Sequence, residues 1–198
     1  TNKERELIVK SKHKLNSKIV VIPNYVDSSL APVLFDCKSR NLLTIANNFP
    51  YKGFDLLISI ARKLKNKYPN YQWDIYGAGY GEIELNKIYQ SGLENNVYLR
   101  GPISNFVHIS KNYLAYCCTS RSEGFPLVLL EAKKVGLPVV SFDINSGPSE
   151  LVSHNVNGYL VEPFDVISYA NRLNDLLCNQ GLPLIFSKNS KLGLERIN

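Results

Sequence analysis

Two kinds of hydrophobic pattern alternate along the chain. Short runs rich in β-branched or aromatic residues, bounded by turn residues, predict strands. We place them at residues 18–22, 41–46, 72–76, 97–99, 114–119, 138–142 and 158–161. Longer stretches with a helical period lie between these runs. The alternation is typical of βαβ units and predicts an α/β fold built on a Rossmann-like, doubly wound and mostly parallel sheet.

The clearest helical pattern covers residues 55–67, where the apolar positions form one stripe and Pro69 ends the pattern. Weaker helical patterns follow Gly81, Pro102, Pro126, Gly147 and Asp165. The pattern fades near the carboxyl end, where we expect a further helix within residues 182–198 without fixed limits.

Turn residues and charge set the amino-terminal segment apart. Pro23-Asn24 and residues 27–32 have the composition of a linker, so residues 1–17 lie outside the predicted domain. Residues 1–18 carry a net charge of +4 of the chain's formal +6. A solvated helix face is the plain interpretation, and peripheral contact with an anionic membrane is the alternative. No nucleic-acid motif accompanies the basic run, so nucleic acid is not predicted as a partner.

Apolar runs and cysteines predict a globular protein of the cytoplasm. The longest apolar runs, residues 125–130 and 137–142, are far shorter than the roughly 20 residues that cross a bilayer. The four cysteines lack paired spacing and are interpreted as reduced thiols. The chain begins at Thr1 and contains no methionine, so we expect it to be a piece of something longer.

In a doubly wound sheet, ligands bind at the carboxyl ends of the strands, so the loops there are the candidate site. The richest loop is residues 120–127. Pro126 suits a first helical turn, where free N–H groups and the helix dipole would attract a diphosphate. Phosphate repels carboxylates, so Glu123 and Glu131 fit neutral sugar hydroxyls instead. In the alternative interpretation both glutamates are solvated charges and the loop is only a turn.

Three further loops carry weaker signals. Residues 47–53 place Lys52 and Gly53 before a helix, where a lysine can neutralise phosphate, although a lone lysine is more often only a surface charge. Gly77, Gly79 and Gly81 lack the spacing of a dinucleotide fingerprint and favour a tight turn beside a ligand. Residues 147–150 start another helix and are typical turn chemistry.

Taken in order, these segments resemble the carboxy-terminal, donor-binding domain of the retaining family-four glycosyltransferases of GT-B fold. The resemblance covers roughly residues 19–178. Its motifs are Val21-Ile22-Pro23-Asn24, Lys52-Gly53-Phe54-Asp55, Ile75-Tyr76-Gly77-Ala78-Gly79, residues 97–101, 120–126 with Glu131-Ala132, 136–140, 147–150 and 157–161. It implies three parts: residues 1–22 as the remnant of an amino-terminal domain and linker, 23–178 as the nucleotide-sugar domain, and 179–198 as an extension.

The resemblance also implies residue roles. Glu123 contacts hydroxyls of the donor sugar, Glu131 holds the ribose, Lys52 pairs with the phosphates and residues 99–101 contact the base. Within residues 124–127, those other than Pro126, which has no N–H, offer backbone N–H groups to the diphosphate. The expected catalytic residues are Glu123 and Lys52. The full donor-binding set is Asn47, Lys52, Gly77, Gly79, Arg100, Gly101, Arg121, Glu123, Gly124, Phe125, Pro126, Leu127 and Glu131.

One departure concerns the phosphates. The family usually has Gly-Arg where this chain has Ala46-Asn47, so an arginine of the diphosphate site is absent. Arg121 or Arg100 is a candidate replacement.

The implied reaction moves a hexose from a nucleoside-diphosphate sugar, with UDP favoured, to a glycan or lipid-linked acceptor held by an amino-terminal half. No enzyme nucleophile is needed, and since the histidines lack ligand spacing, no metal or cofactor is expected. We expect this chain alone to bind donor and transfer no sugar. Alternatives are a GT-B epimerase or phosphorylase half, and a non-enzymatic domain at a membrane surface.

Overall fold

The computed structural model describes residues 2–10 and 36–190, so the predicted strand at 18–22 lies outside the described residues. The strands are β1 (Asn41–Ile45), β2 (Gln72–Tyr76), β3 (Val97–Gly101), β4 (Ala115–Cys118), β5 (Val139–Phe142) and β6 (Gly158–Val161). The helices are α1 (Asn2–Lys10), α2 (Phe54–Lys67), α3 (Glu82–Gln90), α4 (Phe106–Ser110), α5 (Leu127–Val135), α6 (Pro148–Leu151), α7 (Val166–Cys178) and α8 (Gly181–Asn189). A short 3₁₀ turn, Pro50–Lys52, precedes α2.

The strands form one sheet in the order β3-β2-β1-β4-β5-β6, and every pair is parallel. From β1 the chain builds outward to β3, returns to place β4 on the other side of β1, and builds outward again to β6. The boundary between β1 and β4 is therefore the switch point of a doubly wound sheet, where diverging loops leave room for a ligand. The predicted Rossmann-like fold is confirmed.

Helices cover both faces of the sheet. Strand side chains alternate between two hydrophobic clusters, as Leu42 and Leu43 show in β1 and Cys117 and Cys118 show in β4. One cluster includes the buried faces of α2 and α7, and the other those of α5 and α6. Both thiols in β4 are free, as predicted, and burial raises the pKa of each. Buried apolar layers on both faces hold the sheet rigid and fix where its loops emerge.

The apolar stripe of α2 does what its period predicted. Leu57, Ile60, Ala61 and Leu64 are at most 1% exposed, and α2 packs against α7. Each fully buried leucine or isoleucine contributes about 1.5–3 kcal/mol. The helix begins one residue earlier than predicted, because Phe54 is also buried.

Two helix limits differ from their predictions or lie partly outside the described residues. Pro126 is the residue before α5 rather than within its first turn, because its ψ of 95° is extended. Its carbonyl opens the helix by accepting from Leu129 and Leu130. The helix expected within 182–198 is seen as α8, whose Phe186 packs edge-on against Tyr159 at 5.0 Å between ring centroids. Residues 191–198 lie outside the described residues.

Among the described helices, none combines the length and apolar character needed to cross a bilayer.

We predict that Gly53→Ala destabilises the fold much more than Gly92→Ala. Both glycines are left-handed, with φ of 70° and 64°, so each alanine carries backbone strain of about 1–2 kcal/mol. A Cβ on Gly53 would lie 2.1 Å from the Thr119 carbonyl oxygen, whereas one on Gly92 meets nothing within 4 Å. The clash should add about 1–3 kcal/mol to the loss in unfolding free energy, measured by urea denaturation. Equal losses in the two variants would show that the close approach is unimportant.

Candidate functional site

The structure brings Lys52 and Glu123 together across the switch point. Lys52 lies in the loop after β1 and Glu123 in the loop after β4, and Nζ lies 2.7 Å from Oε1. Their side chains are 23% and 13% exposed, so the pair is only partly screened by solvent. The sequence pointed to each residue through a separate motif, and the two stand 71 positions apart.

A second donor orients Glu123. The buried Ser120 hydroxyl donates to the same Oε1 at 2.6 Å. Both recorded donors therefore meet one oxygen, and Oε2 accepts no hydrogen bond from the described residues. Ser146 also donates to the Glu123 backbone carbonyl, which ties this loop to the one after β5. Ser120 was not among the predicted site residues, although it stands three residues before Glu123 in the same loop.

The loop after β1 is pressed against the loop after β4. Gly53 packs under the Thr119 carbonyl, an approach that leaves no space for a Cβ. The Thr119 hydroxyl donates to the Lys52 carbonyl at 3.1 Å. The close approach and this hydrogen bond together fix the Lys52 backbone beside the loop after β4.

Asn47, which stands where the resemblance implies an arginine, ties two loops together. Its Oδ1 accepts from the Ala78 N–H at 2.9 Å, and the Asn48 side chain donates to the Gly79 carbonyl at 2.9 Å. A Cβ on Gly77 would lie 2.0 Å from the Ala46 carbonyl oxygen, so the loop after β2 can sit this close only with glycine there. Gly101, at the end of β3, accepts from the Gly77 N–H at 2.9 Å.

The amino end of α5 is open toward this edge. The N–H groups of Leu127 and Val128 have no recorded acceptor in the described part of the chain. Unpaired N–H groups at a helix start carry partial positive charge and suit an anion. Gly147 packs closely on this turn, since a Cβ there would lie 2.5 Å from the Pro126 ring and 3.1 Å from the Gly124 carbonyl oxygen. Phe125 packs against the hydrophobic cluster that includes the buried faces of α5 and α6.

Glu131 lies one turn further along α5. It is half-buried, and burial raises the pKa of its carboxyl group. No hydrogen bond or ion pair to Glu131 is seen among residues 36–190. Lys133, two residues on, is 6% exposed and donates to the Leu151 carbonyl at 2.9 Å, and burial lowers its pKa. No sequence pattern marks this buried lysine, which fastens α5 to α6.

The two candidate replacement arginines both pair with carboxylates. Arg121 binds Asp55 through two hydrogen bonds of 2.8 and 2.6 Å, which hold the Asp55 pKa below its usual value. Arg100 binds Asp74 at 2.9 Å and lies over the Tyr98 ring, on a face of the sheet. Neither guanidinium is bonded to Lys52 or Glu123, and their roles toward a diphosphate stay predictions.

Within residues 2–10 and 36–190, no three His, Cys, Asp or Glu side chains are grouped as metal ligands would be. His154 accepts from the Leu160 N–H through Nδ1 at 3.1 Å, which is a structural role. His13 lies outside the described residues. A metal-free site stays a prediction.

Comparison with known proteins gives the family. The sequence model of the glycosyl transferases group 1 matches residues 28–192. The chain is 32% identical over 166 residues to an uncharacterized glycosyltransferase of Haemophilus influenzae, covering 81% of this chain and 47% of that protein.

Solved structures agree. A complex of S. aureus TarM with fondaparinux, α-GlcNAc-glycerol and UDP superposes with a TM-score of 0.91 at 29% identity, covering 98% of this chain and 40% of that one. The pneumococcal O-GlcNAc transferase GtfA, solved with UDP and GlcNAc, gives a TM-score of 0.80 at 25% identity, covering 100% of this chain and 41% of that one. The chain thus spans less than half the length of these relatives. It belongs to the glycosyl transferases group 1 and has the fold of a GT-B carboxy-terminal domain.

Proposed function

We propose that this chain is the donor-binding domain of a retaining glycosyltransferase that uses a nucleoside-diphosphate sugar. The observation that carries the proposal is the Lys52–Glu123 pair at the switch point. A cation suited to phosphate and a carboxylate suited to hydroxyls stand 2.7 Å apart, as the junction between a diphosphate and a sugar requires.

The remaining groups follow from that junction. The open N–H groups of α5 would receive the diphosphate together with Lys52. Glu123 Oε2, which accepts nothing from the described residues, would accept from a donor-sugar hydroxyl. Glu131 would accept from the ribose. The base would lie along residues 99–101, where Gly101 ends β3.

UDP is the nucleotide that the relatives support. TarM and GtfA were both solved with UDP, at 29% and 25% identity to this chain. The donor hexose is left open. The acceptor, a glycan or lipid-linked sugar, would be bound with the help of the remainder of a longer protein.

In the proposed reaction the acceptor oxygen forms a bond to the anomeric carbon on the face that the diphosphate leaves. The bond from that carbon to the phosphate oxygen breaks, and this oxygen takes the acceptor's proton. Configuration is retained and no bond to the enzyme forms. Lys52 and the α5 N–H groups would stabilise the charge that develops on the leaving diphosphate, and positioning would supply the rest of the rate gain.

Isothermal calorimetry should detect UDP binding, and two variants should separate the glutamates. Glu131→Ala should weaken binding of plain UDP by about 1–3 kcal/mol, because it removes a ribose acceptor. Glu123→Ala should leave plain UDP binding nearly intact and weaken only UDP-sugar binding. Absence of UDP binding at millimolar concentration contradicts the proposed function, and equal UDP losses contradict the division of roles.

Glu131→Gln should stabilise the folded chain at neutral pH while it weakens UDP binding. Burial raises the folded-state pKa of Glu131, so its ionised form costs stability at pH values above that pKa. Protonation removes this cost below the unfolded-state pKa, and the advantage of glutamine should vanish there. Thermal melts at neutral and acidic pH measure the difference. A gain of the same size at both pH values would contradict a titrating origin.

Ser120→Ala should lower the rate of sugar transfer from UDP-sugar, measured in the full-length protein. It should leave the affinity for UDP unchanged. When phosphate competes for Lys52, the Ser120 hydroxyl remains as the donor that holds Glu123 Oε1. Ser141→Ala is the matched control, because this buried hydroxyl bonds the Phe142 carbonyl, away from Glu123. Equal effects of the two variants on kcat would show that Ser120 serves only packing. Ser120→Thr, which keeps the hydroxyl, should retain more activity.

A further inference from the structure

An exposed aromatic pair stands beside the candidate site. Phe49 and Tyr51 stack with ring centroids 5.5 Å apart and only 5° between their planes. They are 48% and 45% exposed, unlike most large apolar side chains of the domain. Tyr51 is adjacent to Lys52, whose Nζ lies 5.4 Å from the Tyr51 ring centroid. The proposed donor site therefore borders this pair.

Hydrogen bonds to backbone carbonyls hold the turn that carries the pair. The Lys52 N–H donates to the Phe49 carbonyl at 2.8 Å, which closes the 3₁₀ turn between the rings. The Arg121 N–H donates to the Tyr51 carbonyl at 2.7 Å, and its guanidinium donates to the Pro50 carbonyl at 3.1 Å. Asp55 fixes that guanidinium in turn. Exposure of these rings is thus built into the turn, and a ligand would find them already in place.

A cavity of about 700 Å³ lies against the pair. Its charged wall consists of Asp55, Arg121, Glu84 and Lys87, two anionic and two cationic side chains, so their formal charges cancel. Glu84 is itself fixed, since it accepts from the Gly81 N–H at 3.0 Å. A balanced wall gives little net attraction to a phosphate and offers both donors and acceptors to a neutral ligand.

A pyranose ring has matching chemistry. One of its faces is made of C–H groups, which gain dispersion energy on a flat aromatic surface, and its rim carries hydroxyls that both donate and accept. A nucleotide would instead meet two carboxylates here with no excess of positive charge.

We propose that this cavity binds neutral sugar rings of the acceptor glycan, with the outer faces and edges of the stacked Phe49–Tyr51 pair as its apolar surface and Arg121 as the residue that holds their turn in place. The assignment to the acceptor rests on the proposed function, because Tyr51 adjoins the lysine that would face the donor. In this proposal Arg121 supports the turn that carries the rings, through its hydrogen bonds to the Pro50 carbonyl and to Asp55. Sugar binding itself can be tested without any transfer reaction.

The test is saturation-transfer NMR on this chain with chitotetraose and maltotetraose at millimolar concentration. At least one should receive saturation on its ring C–H protons from protein aromatic protons. The double variant Phe49→Ala, Tyr51→Ala should weaken its binding about tenfold or more, from the loss of two stacking rings. Tyr89→Ala is the matched control: Tyr89 is 65% exposed on α3 and lies outside the cavity wall. It should bind sugar like the parent chain.

A second double variant, Phe49→Leu, Tyr51→Leu, keeps apolar volume while removing the flat rings. It should also lose sugar binding, and it provides the test if the alanine variant fails to fold. Absence of saturation from both sugars, or equal binding by parent and leucine variant, overturns the inference. Sugar binding that disappears in the full-length protein would show that another part of that protein covers the rings, and overturns it too. UDP titration of the same samples keeps the two proposals apart, because loss of UDP binding alone refutes only the donor site.

Discussion

The close approach of the loops after β1 and β4 is the constraint on which the site depends. Two parallel strands that are neighbours in space but distant in sequence end at the same edge, so their loops must share the space above it. Gly53 lets the backbones touch at the Thr119 carbonyl. Lys52 and Glu123 then meet with little freedom left to lose, and Ser120 fixes which carboxylate oxygen remains available. The chemistry proposed for this edge follows from backbone packing first and from charge second.

The elements were predictable because their signals are local. The limits of β2 and β6 match the predicted runs, and α2 departs by a single residue. Pairing between distant side chains was not predictable in the same way, since no spacing rule links Arg121 to Asp55. The rule that ligands bind at the carboxyl ends of the strands predicts that Lys52 and Glu123 lie at one edge of the sheet, and the structure gives the distance between them. The missing N–H of proline needs no partner in a first helical turn and so predicts Pro126 inside the helix, whereas its extended ψ of 95° makes it the residue before α5.

Charge at this edge is arranged so that few groups are left without a counterpart. Arg121 and Arg100 each face a carboxylate, and the Asn47 amide oxygen accepts a hydrogen bond from the neighbouring loop. Lys52 also faces a carboxylate, Glu123, but it does so at the switch point, where the proposed diphosphate would lie, and burial raises the pKa of Glu131. If Glu131 binds the ribose as proposed, the free energy that its burial costs the empty fold would serve affinity for the ligand.

The seat of Gly53 beneath Thr119 has a consequence for assembly of the domain. Closing β4 onto β1 brings together segments separated by some 70 residues, a slow kind of step because the entropy of a long loop must be lost before the contact forms. An intermediate in which β1 to β3 have paired without β4 would have Lys52 but neither its carboxylate partner nor the α5 amides. Nucleotide could then be recognised only after the second half of the sheet has docked. Bound nucleotide would then stabilise the association of the two halves of the sheet, although it contacts only the loops at their carboxyl edge.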